Sequence, residues 1–306
     1  MTNRWWIYQQ ERFPVFAHGL LIAAFISCAV VYSAAIHGRD RLPEAEVFLV
    51  AFVVAFLIFL QMRIADEFKD CAEDARYRPY RPVPRGLVTL RELATVAVFA
   101  AGVQWGLAFW LAPGLVVVLL VVWVYLGLMT REFFHGAWLR QHPVVYLLSH
   151  MVILPLITLF ATACDWIPSG TARLSGLIPL LLASYGAGIV IEIGRKIRAR
   201  ADEEPGVETY TLLWGQRNAV LVWWGAIIAT LILGWVVTRS FVLPAAGAAL
   251  ISVIALPGLI AGWRFLQGPG SRRAKAIDTV SGLTVLAVHL AIGVLSFITR
   301  LEGMAL

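Results

Sequence analysis

Long apolar runs alternate with short polar stretches along this chain, and the runs have the length of membrane spans. A span needs roughly 17–25 mostly apolar residues. On that basis the pattern predicts helices near 14–37, 46–64, 91–112, 114–130, 144–162, 175–193, 218–238, 242–263 and 277–299. Ala112-Pro113-Gly114 predicts a tight turn between the third and the fourth. The predicted fold class is all-α, a polytopic membrane bundle of about nine transmembrane helices in a single domain over 1–306. Within it the helices group as two four-helix units, about 14–130 and 144–263, plus a last helix at 277–299.

Composition strengthens this picture. Sixty per cent of the 306 residues are hydrophobic and 14% are charged, against about 25% charged in a soluble domain. A separate aqueous domain has no room. Cys28, Cys71 and Cys164 are far apart and form no CxxC pair, so neither a disulfide framework nor a zinc site is expected. The opening MTNRWWIYQQERFP lacks the apolar core and small-residue cleavage site of a signal peptide, so the first helix is expected to be retained. No Walker A sequence and no GxSxG elbow occurs, and Gly186, Gly188, Gly225 and Gly234 read as close helix packing.

Charge then orients the bundle. Of the 25 Lys and Arg residues, 20 fall on the N-terminal side of the predicted spans and 5 on the other. The positive-inside rule places the N-terminus and the long polar loops in the cytoplasm, so the expected location is the cytoplasmic membrane of a prokaryote. Basic residues beside anionic lipid headgroups account for the sequence pI near 9.5, and nucleic acid is not implied as a partner. Trp5, Trp6, Trp138, Trp166 and Trp263 fall where interfacial aromatics are expected.

Polar chemistry is concentrated in two segments. After the second span, Asp66, Asp70 and Asp74 are spaced i, i+4, i+8, so a continuing helix gives them one face, with Glu67 at its border. Carboxylates so placed repel one another unless a cation sits among them, and hard oxygen ligands suit Mg²⁺. The competing reading is a solvated helix end in which Lys69, Arg76 and Arg78 pair with the acids. After the sixth span, Glu192, Arg195 and Lys196, and then Arg198 and Asp202, have helical spacing up to Pro205-Gly206. A basic collar fixing topology would also read this way, but Glu192 lies in the last turn of an apolar span, where ionisable groups are functional by default. Each segment follows the second helix of a four-helix unit, which sets the two charged faces opposite each other at one cavity. Carboxylates and guanidinium groups above an apolar bundle suit a diphosphate head with a hydrocarbon tail.

At these residues the sequence resembles the UbiA superfamily of intramembrane prenyltransferases. That family has nine helices, aspartate-rich motifs after helices 2 and 6, and uses Mg²⁺ to ionise an isoprenyl diphosphate. Its first motif, NDxxDxxxD followed by RPxxxG, appears as Asp66-Glu67, Asp70 and Asp74 with Arg81-Pro82-Val83-Pro84-Arg85-Gly86. Its second, DxxxD followed by a Gly-Val-x-Thr-like stretch, is registered by Gly206-Val207-Glu208-Thr209, which puts Asp202 at the last acidic position. Two departures stand out. Asp66 and Glu67 replace the usual Asn-Asp pair, and Arg198 stands where the second motif begins with Asp, preceded by Arg195 and Lys196. Either Glu192 supplies the missing carboxylate, or the second segment holds diphosphate through its own cations.

The resemblance implies a metal set of Asp66, Glu67, Asp70, Asp74, Glu192 and Asp202, with Asp66, Asp70, Asp74 and Asp202 central to catalysis. It implies diphosphate contacts from Arg12, Arg131, Arg195, Lys196 and Arg198. Tyr77, Tyr125, Tyr146, Tyr185 and Tyr210 are candidates to stabilise an allylic cation. The implied activity is Mg²⁺-dependent transfer of a prenyl group to an aromatic or other lipophilic acceptor within membrane lipid. An intramembrane terpene cyclase using the same ionisation site is the alternative, and a non-catalytic lipid-binding or transport protein is a further one. His150, His18 and His289 read as buried or structural histidines rather than catalytic bases.

Overall fold

The computed structural model describes residues 3–39, 41–171, 174–239, 241 and 244–305. Among these the chain is helical and without strands: α1 (Arg4–Arg12), α2 (Val15–Ile36), α3 (Ala45–Lys69), α4 (Cys71–Tyr77), α5 (Leu90–Leu111), α6 (Leu115–Thr130), α7 (Gly136–Gln141), α8 (Pro143–Met151), α9 (Ile153–Trp166), α10 (Leu174–Arg195), α11 (Tyr210–Thr238), α12 (Pro244–Gln267) and α13 (Ser271–Ala305). Seven spans are long and apolar enough to cross a membrane, with α8 and α9 together making one of them. The shorter apolar α6 and the apolar α12 bring the bundle to about nine transmembrane helices among the described residues. Arg173, counted on the weakly charged side of the sequence, lies outside the described residues.

Local chemistry sets the helix ends. Thr89 and Glu92 form a reciprocal capping box that starts α5. Ala112 is extended and Pro113 cannot continue α5, so the chain reverses into α6 through Gly114. Pro143 sits in the first turn of α8, where its missing N–H costs nothing. Thr209 caps α11 by accepting from the Leu212 N–H at 3.2 Å. Gly215 interrupts α11 with φ 79° and ψ 159°, a conformation open to glycine, so the first turn of α11 is set off from its long membrane-crossing part.

The bundle is covered by apolar side chains that no soluble surface would carry. Phe16, Val98, Phe99 and Val117 are largely exposed on α2, α5 and α6, as lipid-facing residues must be where helices satisfy their own backbone. Inside, Phe160, Trp223 and Phe265 are fully buried, and Trp223 Nε1 donates to Ser281 Oγ at 2.9 Å, joining α11 to α13. The last helix α13 packs against α2, α10, α11 and α12, so it closes the bundle between the first and last spans. At the end away from the charged segments, buried Asp165 takes Arg39 at 3.0 Å and Ser33 at 2.8 Å, tying α2 to α9.

Candidate active site

The first acidic segment is a helix with one joint. Asp70 ends α3 (φ −90°, ψ 2°) and begins α4. Hydrogen bonds of helical spacing nevertheless run through it, from Asp70 N to Asp66 O at 2.9 Å and from Asp74 N to Asp70 O at 2.8 Å. The acids keep a nearly common face, but their environments diverge. Asp74 is 1% exposed and clamped by Arg78 at 2.6 Å and Arg81 at 2.7 Å. That clamp gives the arginine of the RPxxxG element a structural task. Glu67, also 1% exposed, is paired with Arg12. Asp66 meets its own Arg63 at 3.2 Å. Asp70 lines the cavity half-buried, and no hydrogen bond or ion pair to its carboxylate occurs among the described residues. Burial pushes its carboxyl above the usual carboxylate value, and the charges of Asp66 and Asp74 push it further.

The second segment departs from the helix that its spacing predicts. α10 ends at Arg195, and the chain turns so that Lys196 O accepts from Tyr210 N at 3.1 Å and Arg198 N donates to Thr211 Oγ1 at 3.1 Å. These backbone captures by the start of α11 outcompete further helix, so Arg198 and Asp202 share no helical face. Asp202 sits in a single 3₁₀ turn and accepts from Ser271 Oγ at 2.7 Å. Glu192, 7% exposed, receives Arg195 Nε at 2.6 Å and Lys196 Nζ at 3.1 Å. Gly206 has φ +74°, and a Cβ there would fall 2.4 Å from the Tyr77 ring, so glycine lets this loop close onto the first segment. Thr209 and Thr211 both donate to Glu203, fixing the approach to α11.

The two segments face each other across one cavity of about 440 Å³. The structure brings together Arg12, Asp66, Asp70, Glu192, Arg195, Lys196 and Arg198 in its lining. It does not bring the others there. Glu67 and Asp74 lie in buried ion pairs behind the wall. Asp202 lines a neighbouring groove beside α13 rather than the cavity. Arg131 is exposed at the end of α6 and outside the lining, because the chain turns sharply straight after it.

That turn is the part sequence reasoning missed. Glu132, Phe133 and Phe134 all have positive φ, at 48°, 52° and 62°, a conformation costing roughly 1–2 kcal/mol for each non-glycine residue. It delivers Glu132 to Lys69 at 2.9 Å, while Lys69 also hydrogen-bonds the Tyr146 hydroxyl. Arg63 and Arg140 join the lining too. A basic residue near a span end signals only topology, so nothing in the sequence marked these. Nine basic side chains line the cavity with six acidic ones.

Among the tyrosines, Tyr146 and Tyr210 line the cavity. Lys69 Nζ lies 4.7 Å from the Tyr146 ring centre and Lys196 Nζ 5.5 Å from that of Tyr210. Tyr125 and Tyr185 donate to the Ser149 and Leu148 carbonyls at 2.6 and 2.9 Å, holding α6 and α10 to α8, and Tyr77 serves as the platform under Gly206. His150 is buried beneath Tyr146, stacked at 3.8 Å, with Nδ1 on the Tyr146 carbonyl at 2.8 Å. His289 is buried in the same manner on the Val285 carbonyl, and His18 stacks on Phe13.

Among the described residues no three His, Cys, Asp or Glu side chains converge as a closed metal cage. Mg²⁺ does not need one, since it is commonly held by one or two carboxylates with waters and substrate phosphates. Asp66 and Asp70 fit that requirement: they flank one wall, and a cation would relieve the repulsion Asp70 carries. Glu192 and Asp202 do not fit it. The first is saturated by two internal cations, and the second is in another groove.

Fold and site together define a polytopic helical membrane protein with a charged cavity at one end of an apolar bundle. The model of the UbiA prenyltransferase family matches residues 12–295, and the chain belongs to that family. Its members are prenyltransferase-type enzymes. Among solved structures, it is similar to a digeranylgeranylglyceryl phosphate synthase (TM-score 0.62, 14% identity, covering 97% of this chain and 100% of that one). It is also similar to a UbiA homologue from Aeropyrum pernix K1 solved in the apo form (TM-score 0.66, 15% identity, 91% and 98% covered). A UbiA homologue from Archaeoglobus fulgidus bound to DMAPP and Mg²⁺ superposes more loosely, with a TM-score of 0.49 at 14% identity over 92% and 98%. No curated protein matches the chain.

Proposed function

We propose that this chain ionises an isoprenyl diphosphate at the cavity and transfers the prenyl group to a lipophilic acceptor. The observation that carries the reading is Asp70: a half-buried carboxylate without an ion pair, in a cavity lined by nine basic side chains, at the mouth of an apolar bundle. A purely structural charge network would have paired it, as Asp74, Glu67 and Glu192 are paired.

Asp66 and Asp70 would hold Mg²⁺, which when bound supplies Lewis-acid charge to the diphosphate oxygens. Arg195, Lys196, Arg63 and Arg198 face the same space and offset the negative charge that develops as the C–O bond breaks and its electron pair passes to the diphosphate. Tyr146 and Tyr210 offer aromatic faces to the allylic cation left behind. The acceptor then forms the new bond and gives up a proton. Asp74 and Glu67 act as positioning groups, holding Arg78, Arg81 and Arg12 so that the wall keeps its shape. The prenyl tail lies between the helices below. The one-sided distribution of Lys and Arg supports an active-site mouth facing the cytoplasm, and the whole chain is read as one domain of two four-helix units with α13 added.

Purified protein is incubated with Mg²⁺ and geranyl, farnesyl or geranylgeranyl diphosphate, without and with a lipophilic acceptor, and products are identified. Prenylated acceptor together with diphosphate release is expected. Cyclic hydrocarbon without acceptor would replace transfer by cyclisation, and absence of diphosphate release from every substrate would defeat the enzymatic reading.

A further inference from the structure

The second segment stands where the family pattern carries aspartates, yet it presents cations to the cavity. Both oxygens of Glu192 are occupied from within the segment, Oε2 by Arg195 Nε at 2.6 Å and Oε1 by Lys196 Nζ at 3.1 Å. Lys196 is held further by the rings of Tyr210, at 5.5 Å, and Tyr146, at 5.9 Å. Arg195 opens into the cavity with its side chain 46% exposed, and it lies within electrostatic reach of Asp66 on the opposite wall. Asp202, the remaining acid of the motif, is turned to Ser271. A divalent ion on this wall would have to displace two tethered cations from Glu192, and the one other acid the segment gives the lining, Glu208, is exposed.

We propose that fixed cations replace a second divalent ion here: the cavity takes one divalent ion per diphosphate, on the Asp66–Asp70 side. Arg195 and Lys196 contact the other end of the diphosphate directly. This inference rests on the cavity being a diphosphate site. Glu192 is then a positioning residue, whose buried carboxylate aims the two cations and ligates no metal. A planar guanidinium suits bidentate contact with phosphate oxygens, and an ammonium beside it acts as a point charge. Because these charges are covalently attached, one half of the anion is neutralised whatever the free metal concentration.

The test is equilibrium dialysis of the full-length protein in detergent against labelled Mn²⁺ and labelled inorganic diphosphate, reading the ratio of the two bound species. One Mn²⁺ per bound diphosphate is expected; two would overturn the proposal. Glu192→Gln should leave the ratio at one, whereas a fall from two to one would make Glu192 a metal ligand. Arg195→Ala with Lys196→Ala should keep the ratio while weakening diphosphate binding about tenfold or more, the scale of losing charge-assisted contacts. Binding of no diphosphate by the native chain, with or without Mn²⁺, would remove the diphosphate site itself, a failure distinct from a ratio of two.

Discussion

The segments after α3 and after α10 occupy comparable places and are built from similar residues, yet they hold their charge in opposite ways. After α3, Arg78, Arg81 and Arg12 pair with the buried Asp74 and Glu67, and Asp70 is left without an ion pair in the cavity. After α10, the two motif acids are internally satisfied, Glu192 by Arg195 and Lys196 and Asp202 by Ser271, and Arg195 keeps nearly half of its side chain exposed to the cavity. Which side chain is internally satisfied decides what each wall offers a ligand.

The largest expected effect falls on the carboxylate side. Asp70→Ala should lower diphosphate release by about 100-fold or more, the scale of removing one preorganised electrostatic contact from a transition state. Asp70→Asn should be equally inactive but no less stable than the native protein. Burial and neighbouring acids raise the Asp70 carboxyl, so the fold favours its protonated form. That contribution to stability is present at low pH and lost as pH rises through the raised value. Thermal unfolding of the two proteins at neutral pH checks this, and a marked loss of stability in Asp70→Asn would contradict it. The same direction governs metal binding, which needs the ionised group. Mn²⁺ affinity should fall as pH drops through a value above that of an ordinary carboxylate, measured by titration at a series of pH values.

On the cationic side, smaller changes are expected. Glu192→Gln unpins Arg195 and Lys196, and about a tenfold rise in KM for the prenyl diphosphate should follow, with kcat less affected. An unchanged KM would show that the tethering does not matter. Gly206→Ala adds a Cβ 2.4 Å from the Tyr77 ring at φ +74°, at a cost of about 1 kcal/mol or more from the backbone alone. A lower unfolding temperature is expected, and it should be relieved in part by pairing with Tyr77→Ala, which removes the colliding ring.

Much of this was readable from the sequence, and the limits of that reading have physical causes. Spans are set by a local average, so α2, α5 and α6 begin and end within a residue or two of where hydropathy places them. The seventh span is predicted to start at 218 because Gln216 and Arg217 interrupt the apolar run, whereas α11 itself begins earlier, at Tyr210. The face shared by Asp66 and Asp70 was legible because spacing in a helix is local. Pairing is not local: Arg12 to Glu67 and Lys69 to Glu132 join residues that no periodicity relates. The second segment misled for the same reason. Its i+4 spacing is helical, but hydrogen bonds from the start of α11 end the helix at Arg195 and carry Asp202 away from the cavity. The left-handed turn at Glu132–Phe134 carries no sequence signal at all, having no glycine or asparagine in it.

The smallest expected effect belongs to Asp202→Asn, because its carboxylate faces the neighbouring groove. Set beside Asp70→Asn, it separates the two segments in a single assay. Diphosphate release from a labelled prenyl diphosphate is measured for both variants and the native protein, at saturating Mg²⁺. Loss of about 100-fold or more is expected for Asp70→Asn and near-native turnover for Asp202→Asn. Equal loss in both would contradict it, by putting the two segments back on the same footing.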